Sequence, residues 1–236
     1  MNVASPAGRA IVVNADDFGG STGINRGIAE GHEDGIVTSA SLMVTGRAVD
    51  EAVALAGDHP NLAVGLHWDV WGEDERAFDL GDETAVRSEF RRQLDAFGDR
   101  MGRPPTHVDS HKHAHLDPRV LPIVLDEVAG LGIPVRGDGR VDFVGGFYAQ
   151  WEWQVTDLEH VSVAALVGIL NAEVTAPWTE ISCHPGHISA DFTSVYLAER
   201  EAELATLCDP AVRRAIDRQG LRLASFADVP AVPPGA

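Results

Sequence analysis

Residues 107–115 concentrate groups that can do chemistry: His107, Asp109, His111, His113 and His115, in the run Asp109-Ser110-His111-Lys112-His113-Ala114-His115. Neutral imidazoles suit a borderline divalent cation, and a nearby carboxylate can orient a ligating ring from behind. If residues 106–111 are extended, His107, Asp109 and His111 share one face. If the chain then turns helical, His111 and His115 form an i, i+4 pair, a common ligand spacing. A histidine-rich surface loop would bind metal only incidentally, and the position of this run directly after an apolar stretch argues against that. One ion cannot take all of these rings, so one or two are expected to face substrate.

Three other segments carry similar groups. Asp16 and Asp17 follow the apolar run Ile11-Val12-Val13. Adjacent carboxylates there are costly to desolvate, and strand alternation should point them in different directions. That suits two jobs, one binding a cation and the other handling protons; a pair of loop carboxylates capping the next helix is the plain alternative. His67 ends Val64-Gly65-Leu66-His67, and alone it would read as a hydrogen-bonded residue at the edge of a core. In Thr179–His184, Glu180, Ser182 and His184 fall on one polar face, with Ile181 and Cys183 on the other. Pro185 and Gly186 then impose a turn that would fix the His184 ring. Cys183 reads as a small buried residue.

Segments of this kind need a scaffold that brings strand ends together. Short apolar runs alternate with amphipathic stretches along the chain. Strands are expected at 10–14, 36–44, 62–67, 106–110, 134–136, 141–144, 179–184 and 221–223. Helices are expected at 24–33, 48–56, 83–97, 119–129, 162–172, 199–207 and 211–218. Such alternation predicts a parallel sheet covered by helices. At 236 residues a closed or irregular, TIM-like (β/α) barrel is the first expectation and a doubly wound open sheet the second. Both place chemistry at the C-terminal strand ends, where all four polar segments fall. One domain, 1–236, is expected, with a core of about 9–229 and a frayed Pro-rich tail from Pro230.

Composition narrows the partners. The formal net charge of −18 makes phosphate backbones and anionic membrane faces poor ligands. Two cysteines make no disulfide framework, Met1–Ala10 has no apolar leader, and no stretch approaches a membrane span. A cytoplasmic protein is the expectation, and a homodimer is compatible with the sequence. There is no Gly-x-Ser-x-Gly elbow, phosphate-binding Gly-Lys loop or dinucleotide fingerprint. Asp17-Phe18-Gly19 lacks the rest of the kinase set.

Taken together, the segments Asn14-Ala15-Asp16-Asp17-Phe18-Gly19, Asp34-Gly35-Ile36-Val37-Thr38-Ser39, Gly65-Leu66-His67, Pro105-Thr106-His107-Val108-Asp109-Ser110-His111 and Cys183-His184-Pro185-Gly186 resemble the YdjC/ChbG-like carbohydrate deacetylases. The resemblance runs from about Ile11 to Val229. It implies an irregular barrel related to polysaccharide deacetylases, which removes the acetyl group from an N-acetylated sugar or oligosaccharide. It implies one divalent ion, Mg²⁺ or Zn²⁺, held by Asp17, His67 and His111. Asp16 would be the general base and His184 the acid. Asp109 would orient a ligand, and His113, His115 and Trp68 would meet substrate. Trp71, Trp151 and Trp153 are further stacking candidates, although core or rim packing is at least as good a reading for each tryptophan. The segment after His67 is Trp-rich, acidic and shorter than in members that act on chitooligosaccharides.

Two rival readings belong to other classes. Phosphoester hydrolysis normally needs Arg or Lys near the metal, and only Lys112 lies inside the motifs. A non-catalytic sugar- or metal-binding protein has no use for proton-transfer groups such as Asp16 and His184.

Overall fold

The innermost strand, β1 (Ala10–Phe18), is buried along its whole length, as expected for a strand of a parallel sheet covered on both faces. A computed structural model describes residues 8–72 and 77–231. Glu73 and Asp74 of the acidic segment, and residues 232–236 of the expected frayed tail, lie outside the described residues.

Six strands follow the order β4-β3-β2-β1-β6-β5, with β7 also on β1, and every pairing is parallel. They are β2 (Ser39–Leu42), β3 (Ala63–Trp68), β4 (Val108–Ser110), β5 (Asp142–Val144), β6 (Trp178–Cys183) and β7 (Arg222–Ala224). β7 pairs with Ala10–Val12 of β1, while β2 pairs from Asn14 onward. The expected strand at 134–136 is present as a single bridge, Val135 to Val108. The Val108 amide donates to Pro134 and the Arg136 amide donates to Val108, so this segment continues the sheet past β4. The result is an irregular, partly closed barrel rather than a doubly wound sheet.

Among the described residues seven α-helices cover it: α1 (Thr22–Glu33), α2 (Val49–Asp58), α3 (Glu83–Met101), α4 (Leu121–Val128), α5 (Val163–Ala172), α6 (Ala198–Leu207) and α7 (Pro210–Arg218). Several begin at side-chain caps that satisfy the first free amides: Ser21 for α1, Asp82 for α3, Ser162 for α5 and Asp209 for α7. α1 lies directly against the His184-Pro185-Gly186 turn. A Cβ on Gly27 would sit 2.5 Å from the Gly186 Cα, so this close approach requires glycine. No helix among the described residues is long and apolar enough to cross a membrane.

Candidate active site

The C-terminal end of β1 breaks strand geometry where the two carboxylates lie. Its register with β2 shifts between Ala15 and Phe18, and Asp17 has φ +69°, a conformation a non-glycine residue rarely adopts outside functional sites. The turn is stapled by Asn25, which accepts from the Gly19 amide and donates to the Ala48 carbonyl. The two carboxylates consequently meet different partners, as alternation predicted, yet both line the same cleft.

Asp17 faces two imidazoles. Its Oδ1 is 3.2 Å from His67 Nε2 and 3.1 Å from His111 Nδ1, and its Oδ2 accepts from Arg200 Nη2 at 2.6 Å. Burial alone would raise the Asp17 pKa, but Arg200, His111 and His67 more than offset it and hold the carboxyl well below its usual range. One donor atom from each of Asp17, His67 and His111 lies within 4.8 Å of the others. His67 Nε2 is buried and makes no hydrogen bond, and its ring is oriented by Asp109 Oδ1, 2.7 Å from Nδ1. Carboxylate behind imidazole, with the far nitrogen directed at a second carboxylate, is the donor arrangement of a divalent cation site. The residues fit such an ion. Burial disfavours a charge on His67, but Asp109, Asp17 and Asp16 raise its pKa well above the ordinary value. A bound cation would displace that proton.

A second set, Asp16, His67 and Asp109, also has three donors in reach of one another, but a cation from the chain already occupies it. Arg136 Nη2 is 2.8 Å from Asp16, 2.9 Å from Asp109 and 2.6 Å from Glu180, and Arg136 Nη1 donates to Asp16 Oδ2. Against the cost of burial, Arg136 holds Asp16 ionised below its ordinary pKa. Glu180, deeper in the sheet, is pushed up to about 7 by burial, despite Arg136.

The cleft has a volume of about 700 Å³. Asp16, Asp17, His67 and His111 line it, as do His113 and His184 from the other segments. Glu180, Ser182 and His184 do share the face that looks into the barrel, while Cys183 is buried on the other, where its thiol donates to the Asn14 carbonyl. The His184 ring lies 5.4 Å from Tyr148 and 5.8 Å from Tyr196, and its buried Nδ1 makes no hydrogen bond. Burial is the main reason its pKa falls to about 4, so the ring is neutral at rest. Behind it, Glu203 on α6 accepts from the His184 amide and from the Tyr196 hydroxyl, and its Oε1 is 3.9 Å from His184 Nδ1. Burial pushes Glu203 up to about 8, so it holds a proton at neutral pH. A smaller cavity of about 340 Å³ adjoins the cleft at Asp17 and Thr193 and is lined by Thr45, Asp69 and Phe192, among others.

Two expected substrate contacts lie elsewhere. Trp68 is fully buried, packed edge-on against Phe78 and Phe90. The cause is strand alternation: a β3 that turns His67 into the barrel turns Trp68 out under α3. His115 is also fully buried. Its Nδ1 meets the Ser110 hydroxyl and its Nε2 lies 3.0 Å from the Arg136 carbonyl, so it fixes the Arg136 backbone. The i, i+4 pair that a helical turn after His111 would give does not form, because Lys112 and His113 adopt left-handed φ values of 52° and 53° and wind residues 111–116 into a kinked 3₁₀ segment. His107 stacks on Phe226 at 3.8 Å. Its ring occupies the space that a Cβ on Gly65 would fill.

Arg136, Arg200 and Glu203 were not expected from the sequence. An arginine ending the short apolar run Ile133-Pro134-Val135 obeys the same strand-end rule that flagged the aspartates. Arg200 and Glu203 lie at i, i+3 on α6 and so share one helix face. With two arginines at the site, the absence of cationic residues no longer argues against phosphoesters. Arg136 is, however, committed to three carboxylates and Arg200 to Asp17.

A parallel half-barrel with one His₂-carboxylate donor set beside an ionised carboxylate and a neutral imidazole is the arrangement of a metallohydrolase-like centre. The chain belongs to the YdjC-like protein family, whose model matches residues 10–218. It is 31% identical over 261 aligned residues to a chitooligosaccharide deacetylase from Serratia marcescens, covering 94% of this chain and 99% of that one. Among solved structures it resembles a candidate cellobiose-phosphate cleavage protein from Enterococcus faecalis V583, with TM-score 0.84 and 24% identity over 95% of this chain and 100% of that one. It also resembles a family 4 carbohydrate esterase from Streptomyces lividans in complex with acetate, with TM-score 0.59 and 14% identity, covering 98% and 100% of the two chains. These structural likenesses establish the fold.

Proposed function

We propose that this chain is a metal-dependent carbohydrate deacetylase that hydrolyses the acetamide of an N-acetylated sugar. One observation carries the reading: three donors from three strand ends converge beside a cleft that also holds an ionised carboxylate, Asp16, and a neutral imidazole, His184. Neither is needed as a ligand, and both are what general acid–base hydrolysis requires. The Serratia marcescens relative, named a chitooligosaccharide deacetylase, supports the substrate class.

Asp17, His67 and His111 would hold the cation, with Zn²⁺ favoured by two imidazoles and Mg²⁺ the alternative. When bound, the ion supplies Lewis-acid polarisation of the amide carbonyl and eases deprotonation of water. Asp16, fixed by Arg136, accepts the proton of the attacking water. His184, neutral at rest, would relay to the leaving amine the proton that Glu203 holds behind it, and the proton that Asp16 takes from water would replace it before the next turnover. His113 meets the sugar. The chain acts as a single catalytic domain. The proposed compartment is the cytoplasm, in keeping with two free cysteines, one of them fully buried.

The test is acetate release from a panel of N-acetylated sugars, repeated with several divalent metals and after chelation. Metal-dependent acetate release is the expected result. Release that survives complete chelation, or phosphate release from phosphorylated sugars with no acetate from any N-acetylated one, would overturn it.

A further inference from the structure

Exposed apolar side chains grouped at the rim of a cleft mark a ligand groove where isolated ones do not: Trp153, 69% exposed, and the exposed Val195 both line this cleft. Trp153 sits at the tip of a tight turn in which the Val155 amide donates to the Glu152 carbonyl at 3.0 Å. The next residue, Gln154, takes the left-handed φ of +60° that this turn demands and that a non-glycine residue adopts only at a cost.

Both legs of the turn are fastened. On one side the Ala149 amide donates to the Tyr196 hydroxyl at 2.9 Å. Gln150, itself buried, donates to the Val195 carbonyl and to Glu199. On the other side the Asp157 amide returns to the Ala149 carbonyl and the Thr156 hydroxyl donates to the same Glu199, which is only 3% exposed. Trp151 is clamped by stacking on His160, with ring centroids 3.8 Å apart. Trp153 is thus an exposed indole on a turn whose two legs are fastened beside the cleft. The stacked rings of Tyr148 and Tyr196, 4.6 Å apart, line the same cleft as far as His184.

We infer that Trp153 is a specificity-determining residue: it is the platform for a second sugar unit, next to the one whose acetyl group is removed. This rests on the deacetylase reading above. A pyranose with equatorial substituents presents a flat C–H face that stacks on an indole, and a preformed platform takes it with little ordering cost. The cleft is within the size range that holds a ligand larger than one ring. Trp153 therefore makes the site prefer an oligosaccharide to a monosaccharide.

The test is calorimetric binding of an N-acetylglucosamine monosaccharide and of its β-linked disaccharide to metal-loaded Asp16→Asn protein, with and without Trp153→Ala or Trp153→Phe. The Asp16→Asn parent is expected to bind the disaccharide about tenfold more tightly, the upper end of what one stacked aromatic contact contributes. Trp153→Ala should bring the two affinities within about threefold, and Trp153→Phe should restore part of the difference. Three outcomes overturn the inference. Equal affinities in the parent are one. A preference that survives Trp153→Ala is another, and would move the second unit to the cavity beside Asp69. A parallel loss of monosaccharide binding is the third, and would place Trp153 on the reacting ring. Acetate assays with the unsubstituted protein separate the two readings: a Trp153-dependent disaccharide preference without acetate release leaves the platform standing and removes the deacetylase.

Discussion

Asp109 Oδ1 lies 2.7 Å from His67 Nδ1, and both side chains are buried. The contact fixes which His67 nitrogen is free to meet a cation, so Asp109 would act on a bound metal through another residue. Asp109→Asn keeps the shape and removes the charge. Metal affinity measured by titration should fall about 10- to 100-fold, the usual consequence of losing such a partner. Unchanged affinity would detach Asp109 from the site.

The two adjacent aspartates should separate cleanly. Asp16→Asn is expected to keep its metal and lose turnover by about 10²- to 10⁴-fold, the range for a general base. Asp17→Asn, His67→Ala and His111→Ala should each lose metal, measured by elemental analysis after gel filtration. Metal loss from Asp16→Asn with retention in Asp17→Asn would mean that the two carboxylates have exchanged roles.

Trp68→Ala tests a packing role. Removing a fully buried indole from between Phe78 and Phe90 should cost about 3–5 kcal/mol of unfolding free energy, read by urea denaturation. Trp68→Phe should recover most of it and keep the wild-type KM. A raised KM with unchanged stability would return Trp68 to the substrate.

Glu203 gives a pH test with a definite sign. Burial raises its folded pKa from 4.5 to about 8, so the native state holds a proton that the unfolded chain has released. That contribution is complete below about pH 4.5 and is lost as pH rises through about 8. Wild-type stability should therefore fall between pH 6 and 9 by more than that of Glu203→Gln, which carries no ionisable group there. Parallel curves would show that Glu203 is ionised throughout.

Strand-end reasoning could bring the Asp16-Asp17 pair, His67 and the 107–115 run to one rim, because each follows an apolar run; the choice of Asp17, His67 and His111 among them came from the family resemblance. The polar face of Glu180, Ser182 and His184 was equally legible, since it follows from period two alone. The same rule, applied to β3, would have sent Trp68 away from His67. His115 was beyond reach: its position depends on left-handed backbone at Lys112 and His113, which neither residue type announces. Arg200 and Glu203 lie on a helix whose charged composition reads as solvated surface. Arg136 and Arg200 find their aspartates 120 and 183 residues away, a pairing that only the folded barrel creates.

The Tyr196 hydroxyl receives the Ala149 amide and donates to Glu203, which in turn holds the His184 amide. The loop that carries Trp153 and the turn that carries His184 are therefore hinged on one phenol. For evolution this is a constraint on modularity. A replacement loop of different length or sequence can alter which sugars enter, but it must present a main-chain N–H at the place of Ala149. Without it, a graft that changes taste also unsettles the turn that carries His184.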